Sequence, residues 1–196
     1  MKVEVRFSGF GGQGIILAGF IAGKAATLFD KRNATLTQSY GPESRGGACS
    51  AEVIVSDEEI LYPHLIRPDV LVAMSQPAYE RYKQDLSPTG LLVVDSGLVD
   101  PGATPPGVRT FGVPATRLAE GMGRSVVANI VMLGFFTAVA GVISEDGMRQ
   151  AILSSVPAGT EELNTRAFEK GLNHGKEVLA QAEGGKDEGS KEKRGA

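Results

Sequence analysis

The chain has 196 residues, 42% of them hydrophobic, which is enough for one globular domain with a sizeable core. A formal net charge of −3, with 6% aromatic residues and no Trp, argues against a nucleic-acid surface. No apolar run reaches the length of a membrane span, and Lys2, Glu4 and Arg6 break up the first hydrophobic residues, so a cytoplasmic protein without a signal peptide is expected.

The chain opens on MKVEVRFSGFGGQG. Lys2 to Phe7 alternates polar and apolar residues, with Val3, Val5 and Phe7 on one face, as a strand does. Gly9, Gly11, Gly12 and Gly14 follow, and Ile15-Ile16-Leu17-Ala18 opens a helix. Strand, glycine loop and helix form a Rossmann-like first βα unit. There the backbone can approach an anion closely and a helix N-terminus can receive it. Gly9, Gly11 and Gly14 fit G-x-G-x-x-G. A dinucleotide site also needs an acid at the end of the second strand, about 20 residues on. That strand is expected at Asn33 to Gln38 and ends in Thr37-Gln38-Ser39, with no acid, while Asp30 comes too early. Gln13 adds a long polar side chain to the turn. The loop is therefore read as a ligand approach or a tight structural turn, not specifically as a site for NAD.

The first helix is expected from Gln13 to Phe29. Its small residues, among them Ala18, Gly19, Ala22 and Gly23, suit packing on a sheet or on another chain. Thr35 to Gly47, TLTQSYGPESRGG, leaves the second strand through the turn Tyr40-Gly41-Pro42 and ends in Gly46-Gly47. A polar loop at a strand's carboxyl end stands where open α/β sheets bind ligands, here expected beside the glycine loop on a neighbouring parallel strand. Arg45 could take a carboxylate or phosphate in two-pronged fashion; Glu43 and Arg45 could equally be surface charges on a turn.

Ala48 to Ser56 reads as a strand with Cys49 as a small buried residue, since nothing nearby would activate its thiolate. Ile60 to Pro63 reads as a short edge segment. Asp69 to Met74 and Leu91 to Asp95 are apolar runs of the kind buried on both faces of a sheet, and Ser75-Gln76-Pro77 starts a helix between them. Asp95 is read as the cap of the next turn. A returning strand is expected at Val108 to Gly112 and a short helix at Pro114 to Glu120. Ser125 to Ala140 is a helix either buried or facing another subunit, with Asn129 as an amide in need of partners. Ser144 and Thr160 cap two last helices. The fold expected is α/β: a three-layer, mostly parallel open sheet with a helical C-terminal region. It forms one domain over residues 1–182, followed by a disordered polar tail over 183–196.

Catalytic sets are missing: there is no Ser-His-Asp group, paired-acid motif or Walker loop. The single cysteine cannot hold an iron–sulfur cluster, and His64 and His174 show no metal-ligand spacing, so no catalytic residue, metal or cofactor is assigned to this chain alone. Ligand-type loops without machinery suggest a subunit that completes another chain's active site.

FSGFGGQGIILAG at Phe7 to Gly19 and TQSYGPESRGGACSAEVIVSDEEILYP at Thr37 to Pro63 resemble the gamma subunit of 2-oxoacid:ferredoxin oxidoreductases, the gamma domain of the pyruvate, 2-ketoisovalerate and 2-oxoglutarate enzymes. PDVLVAMSQPAYERY at Pro68 to Tyr82, NIVMLG at Asn129 to Gly134 and LNTRAFEKG at Leu163 to Gly171 extend the likeness. The resemblance implies a complex that converts a 2-oxoacid, coenzyme A and oxidised ferredoxin into acyl-CoA, carbon dioxide and reduced ferredoxin. It implies alpha and beta partners and, in some members, a ferredoxin-like delta chain. Thiamine diphosphate, magnesium and iron–sulfur clusters would lie in those partners, with no nucleic acid or membrane involved. This chain would help form the approach to the active site and the coenzyme A path. The residues expected to contact coenzyme A, substrate or the partner are Gly9, Gly11, Gly12, Gln13 and Gly14 in one loop. In the other they are Gln38, Tyr40, Gly41, Ser44, Arg45, Gly46 and Gly47. The alternatives are a ligand-free assembly module or a stand-alone nucleotide-binding protein, and an isolated chain is open to self-association.

Overall fold

The structure, a computed structural model, describes residues 1–39 and 48–192, with side chains to residue 182. Strand β1 (Lys2–Phe10) leads into α1 (Ile15–Lys24), which ends in a π-helical turn over Ala25–Phe29. Then come β2 (Asn33–Ser39), β3 (Ala48–Ser56), β4 (Val70–Ala73), α2 (Gln76–Tyr82), β5 (Leu91–Asp95) and β6 (Arg109–Val113). The chain closes with α3 (Ala115–Gly121), α4 (Ala128–Ala140), α5 (Glu145–Leu153) and α6 (Glu161–Glu192).

The sheet order is β2-β3-β1-β4-β5-β6. Pairing is parallel from β1 through β6, whereas β3 runs antiparallel to both β1 and β2. Five strands therefore share a direction, as a mostly parallel sheet requires. The expectation that β1 and β2 are neighbours is corrected: β3 lies between them, so their carboxyl ends share an edge one strand apart. Residues 60–63, expected as an edge segment, form no strand.

One face of the sheet is apolar. Val5, Phe7, Val53, Val72 and Val93 pack there against α1, α4 and the later helices. The small residues of α1 serve this packing, with Gly19 set against Ala51. Helix α4 is buried almost all round under α6, so it faces its own chain and not another subunit; of the expected apolar stretch only Val126, just ahead of it, stands out at 69% exposure.

The opposite face carries α2, whose Tyr79 and Tyr82 cover Leu71, Leu92 and Val94. Ser75 caps α2 and Pro77 occupies its first turn. Beside α2 the outer residues of β1 are polar yet buried. Arg6 donates to Glu52 at 3.0 Å, pairs with Asp85 and lies 4.6 Å over the Tyr82 ring. Burial pushes the Glu4 carboxyl up, but Lys2 and the backbone N–H groups of Arg67 and Ile66 outweigh it and hold the group below the usual range. Such a buried charge is tolerable only because it is paired and hydrogen-bonded.

Two further polar residues act as clasps. Asp30, at the end of the π-turn, accepts the Ser144 N–H at 2.8 Å and its hydroxyl, fixing α1 to the start of α5. Asp95 is fully buried; it accepts from Gly97 N–H and from the backbone and hydroxyl of Thr116, so it closes its turn and caps α3. Helix α6 runs on to Glu192, through most of the stretch expected as a separate disordered tail. Glu and Lys there favour a helix locally, against Gly184, Gly185 and Gly189 and without any apolar face to bury.

Candidate functional site

β1 delivers its chain to the carboxyl edge of the sheet, and the glycine loop turns there. Gly11 and Gly12 form the exposed tip, with nothing within 4 Å of the place a Cβ would occupy. Gly12 has φ +100°, and Gly14, the N-cap of α1, has φ +72°, a left-handed conformation costly for other residues. No side chain caps α1 and no acid occupies its first turn. Its leading N–H groups and the positive end of its dipole are therefore presented without side-chain competition.

Two side-chain amides hold this loop from behind. Gln13 accepts the Phe10 N–H through Oε1 at 2.7 Å and donates from Nε2 to the Met74 carbonyl at 2.9 Å. Its amide thus spans the loop and ties it to the end of β4. Gly9 is buried because that amide and Ile15 fill the space its side chain would need. Asn129, 3% exposed in the first turn of α4, donates to the Gly14 carbonyl at 3.2 Å. It answers the need for a partner that its apolar surroundings raised, and it joins the starts of α1 and α4.

A cleft of about 390 Å³ opens beside the loop. Gly12, Gly14 and Leu17 form one side, Arg124 and Val126 another, and the turn from Val156 to Thr160 a third. Asn129, Ile130 and Asn164 reach it from below.

The second expected loop lies for the most part outside the described residues: Tyr40, Gly41, Ser44, Arg45, Gly46 and Gly47 do so, while Gln38 is exposed near the end of β2. The register fixes where the loop is anchored. Ser39 pairs with Ser50, and Ala48 pairs with Phe10, the last strand residue before the glycine loop. The second loop therefore re-enters the sheet directly beside the first.

Cys49 is buried in the core face, and burial pushes its thiol up, which opposes a thiolate role. Among the described residues no three His, Cys, Asp or Glu come together as a metal site. His64 lies against Tyr62 and His174 against Phe135.

Residues 4–174 match the family described as pyruvate ferredoxin/flavodoxin oxidoreductase. The chain belongs to this family. It is 51% identical over 180 residues to the 2-oxoglutarate synthase subunit KorC of Methanocaldococcus jannaschii, covering 91% of this chain and 96% of that protein. Its structure resembles the gamma subunit of a keto/oxoacid ferredoxin oxidoreductase from Geobacter sulfurreducens PCA, at 42% identity and a TM-score of 0.80, over 88% of this chain and 95% of that one. It also resembles part of the 2-oxoglutarate:ferredoxin oxidoreductase of Magnetococcus marinus, whose structure holds 2-oxoglutarate, coenzyme A and succinyl-CoA; identity is 26%, the TM-score 0.79, and the match covers 89% of this chain and 31% of that one.

The chain is a subunit of a 2-oxoacid:ferredoxin oxidoreductase and works with partner subunits. Within that oxidoreductase family, the resemblance read from GGQG and SYGPESRGG holds. The structure separates the site residues into kinds. Gly11 and Gly12 shape an open surface, whereas Gly9, Gln13 and Gly14, packed against Asn129, are committed to holding it. Sequence reasoning left Asn129 and the cleft out of the site. The signal for Asn129 was present, as a lone amide in an apolar helix; the signal for the cleft was not, because its walls come from three separated segments.

Proposed function

We propose that this edge of the sheet receives the anionic part of coenzyme A and closes the approach to the thiamine site of the partner chains. The uncapped, acid-free start of α1 behind an exposed Gly11-Gly12 tip carries the reading. A phosphate there meets backbone N–H groups that need no rearrangement, because Gln13 and Asn129 already hold the loop from both ends. Arg45, on the loop anchored next to Phe10, supplies a guanidinium for the same anion, with Tyr40 and Ser44 as polar positioners. Thiamine diphosphate, with magnesium, supplies the carbanion chemistry when bound in the partner subunits, and iron–sulfur clusters there take the electrons. The names of the relatives at about half identity favour 2-oxoglutarate as the oxoacid.

The test uses the complex assembled in its native host and purified without oxygen. Reduction of a viologen dye is followed with a panel of 2-oxoacids, with and without coenzyme A. Activity that is greatest with 2-oxoglutarate supports the substrate reading. Arg45→Ala raises the KM for coenzyme A by roughly tenfold or more while kcat stays near its original value. An unchanged KM for coenzyme A removes Arg45 from any binding role. A dinucleotide reading finds no support in the structure, since β2 ends in Gln38-Ser39 with no acid to hold a ribose.

A further inference from the structure

We infer that the cleft beside the glycine loop is a socket for an extended segment of a partner subunit, apolar where it enters and acidic where it passes Arg124. The inference rests on the subunit reading and names the surface through which that subunit docks.

The lip of the cleft is apolar and in water. Val126 is 69% exposed and Leu17 37%, and both line the opening. Val127, Ile130 and Leu163 continue the apolar lining inward. A surface of this kind gains by being covered. What covers it must also donate hydrogen bonds. Asn129 and Asn164 are 3% and 5% exposed, and both line the cleft. Each spends its Nδ2 on backbone carbonyls, Asn129 on Gly14 and Asn164 on Thr160. Those bonds settle which end of each amide is oxygen, since a carbonyl cannot accept from another oxygen acceptor. No described residue donates to either Oδ1, and neither oxygen is shut away from solvent without a partner, so both are acceptors open to what enters the cleft. Two acceptors in one apolar cleft call for N–H groups, which an extended polypeptide backbone carries together with apolar side chains.

Charge points the same way. Arg124 lines the cleft and forms no ion pair among the described residues. The starts of α1 and α4 meet at the cleft, and neither has an acid in its first turn. Glu161 and Glu162 open α6 next to the cleft, but Arg124 is the one charged side chain among the described residues that line it, and it suits an acidic side chain beside the buried segment. In the Magnetococcus enzyme the matching fold makes up 31% of its chain, so there the same domain is accompanied by further polypeptide.

The experiment uses the whole complex, with the tag on the thiamine-binding subunit and this chain co-expressed. Val126→Asp lowers co-elution of this chain at least tenfold at equal expression, while the isolated variant keeps the wild-type thermal midpoint because the residue is exposed. Arg124→Glu lowers co-elution several-fold at low ionic strength, and the loss shrinks as salt is added. A benzophenone amino acid placed at position 126 crosslinks, in the active complex, to one partner peptide that carries both apolar and acidic residues. Wild-type co-elution of both variants with no partner crosslink overturns the inference and leaves the coenzyme A reading standing. Wild-type co-elution with a raised KM for coenzyme A also overturns it, by making the cleft a small-molecule site. A wild-type chain that does not co-elute at all overturns the subunit reading and this inference together.

Discussion

Glycine is concentrated in two regions of this molecule for opposite reasons. At the tip of the glycine loop Gly11 and Gly12 look outward: a Cβ on either would meet nothing within 4 Å. Where α4 crosses α6 they look inward. A Cβ on Gly171 would fall 1.9 Å from the Val131 carbonyl oxygen, and one on Gly134 would fall 2.1 Å from the Phe168 carbonyl oxygen. The crossing glycines let two backbones touch and so bury Phe135, Phe168 and Leu172 beneath the sheet. The tip glycines leave a backbone bare for something that is not part of the chain. A glycine count cannot distinguish the two; the space around each missing Cβ can.

The largest effect that sharpens this contrast belongs to the crossing. Gly171→Ala drives a methyl group into backbone that cannot turn aside, so the helices must separate. Overpacking of this kind costs about 3 kcal/mol, near the upper end for core insertions. For a chain of this size that lowers the thermal midpoint by roughly 6–12 °C, readable by circular dichroism. A midpoint within a degree of wild type would mean that the crossing is looser than its geometry, and the contrast would fail on that side.

Gly14→Ala lies between the two regions, because Gly14 has both a left-handed backbone and a neighbour. Its Cβ would come 2.3 Å from Asn129 Nδ2. The left-handed conformation alone costs about 1–2 kcal/mol, and displacing the Asn129 amide adds to it. Asn129→Ala in the same background removes the collision but not the backbone strain. A double-mutant cycle on thermal stability should therefore show coupling of roughly 1 kcal/mol between the two sites. Additivity would show that Asn129 moves aside freely and does not fix the loop.

The sequence made the elements legible and left their partners hidden. The apolar runs of β4 and β5, the Ser75-Pro77 helix start and the Ser144 cap were readable because each depends on residues a few positions apart. The insertion of β3 between β1 and β2 was not, because alternation in Ala48–Ser56 looks the same for either strand direction. Polar residues along β1 suggest a wet face, yet Arg6 is buried because Glu52 and Asp85, 46 and 79 residues away, come to meet it. Gln13 was visible as an oddity within the turn. Its role depends on Met74, 61 residues on, which no local pattern connects to it. Asp95 is legible as the cap of its turn because Gly97 follows two residues on, whereas its bond to Thr116, 21 residues away beyond β6, has no local signal.

The smallest effect on stability is also the one that best separates the two kinds of glycine. Gly11 has ordinary backbone angles, open space around it and no neighbour to displace. Gly11→Ala should therefore leave stability within about 0.5 kcal/mol of wild type, as surface changes usually do. If the tip takes no ligand and no partner, the assembled enzyme will not notice the methyl group. If the tip lies against coenzyme A, the added carbon stands between backbone and anion. The KM for coenzyme A then rises several-fold, with the KM for the oxoacid and the assembly of the complex unchanged. Loss of assembly with an unchanged KM would instead assign the tip to the partner subunit and confine any coenzyme A contact to the Arg45 loop. The same glycine, silent in the folding of the isolated chain, thus reports what the loop is for.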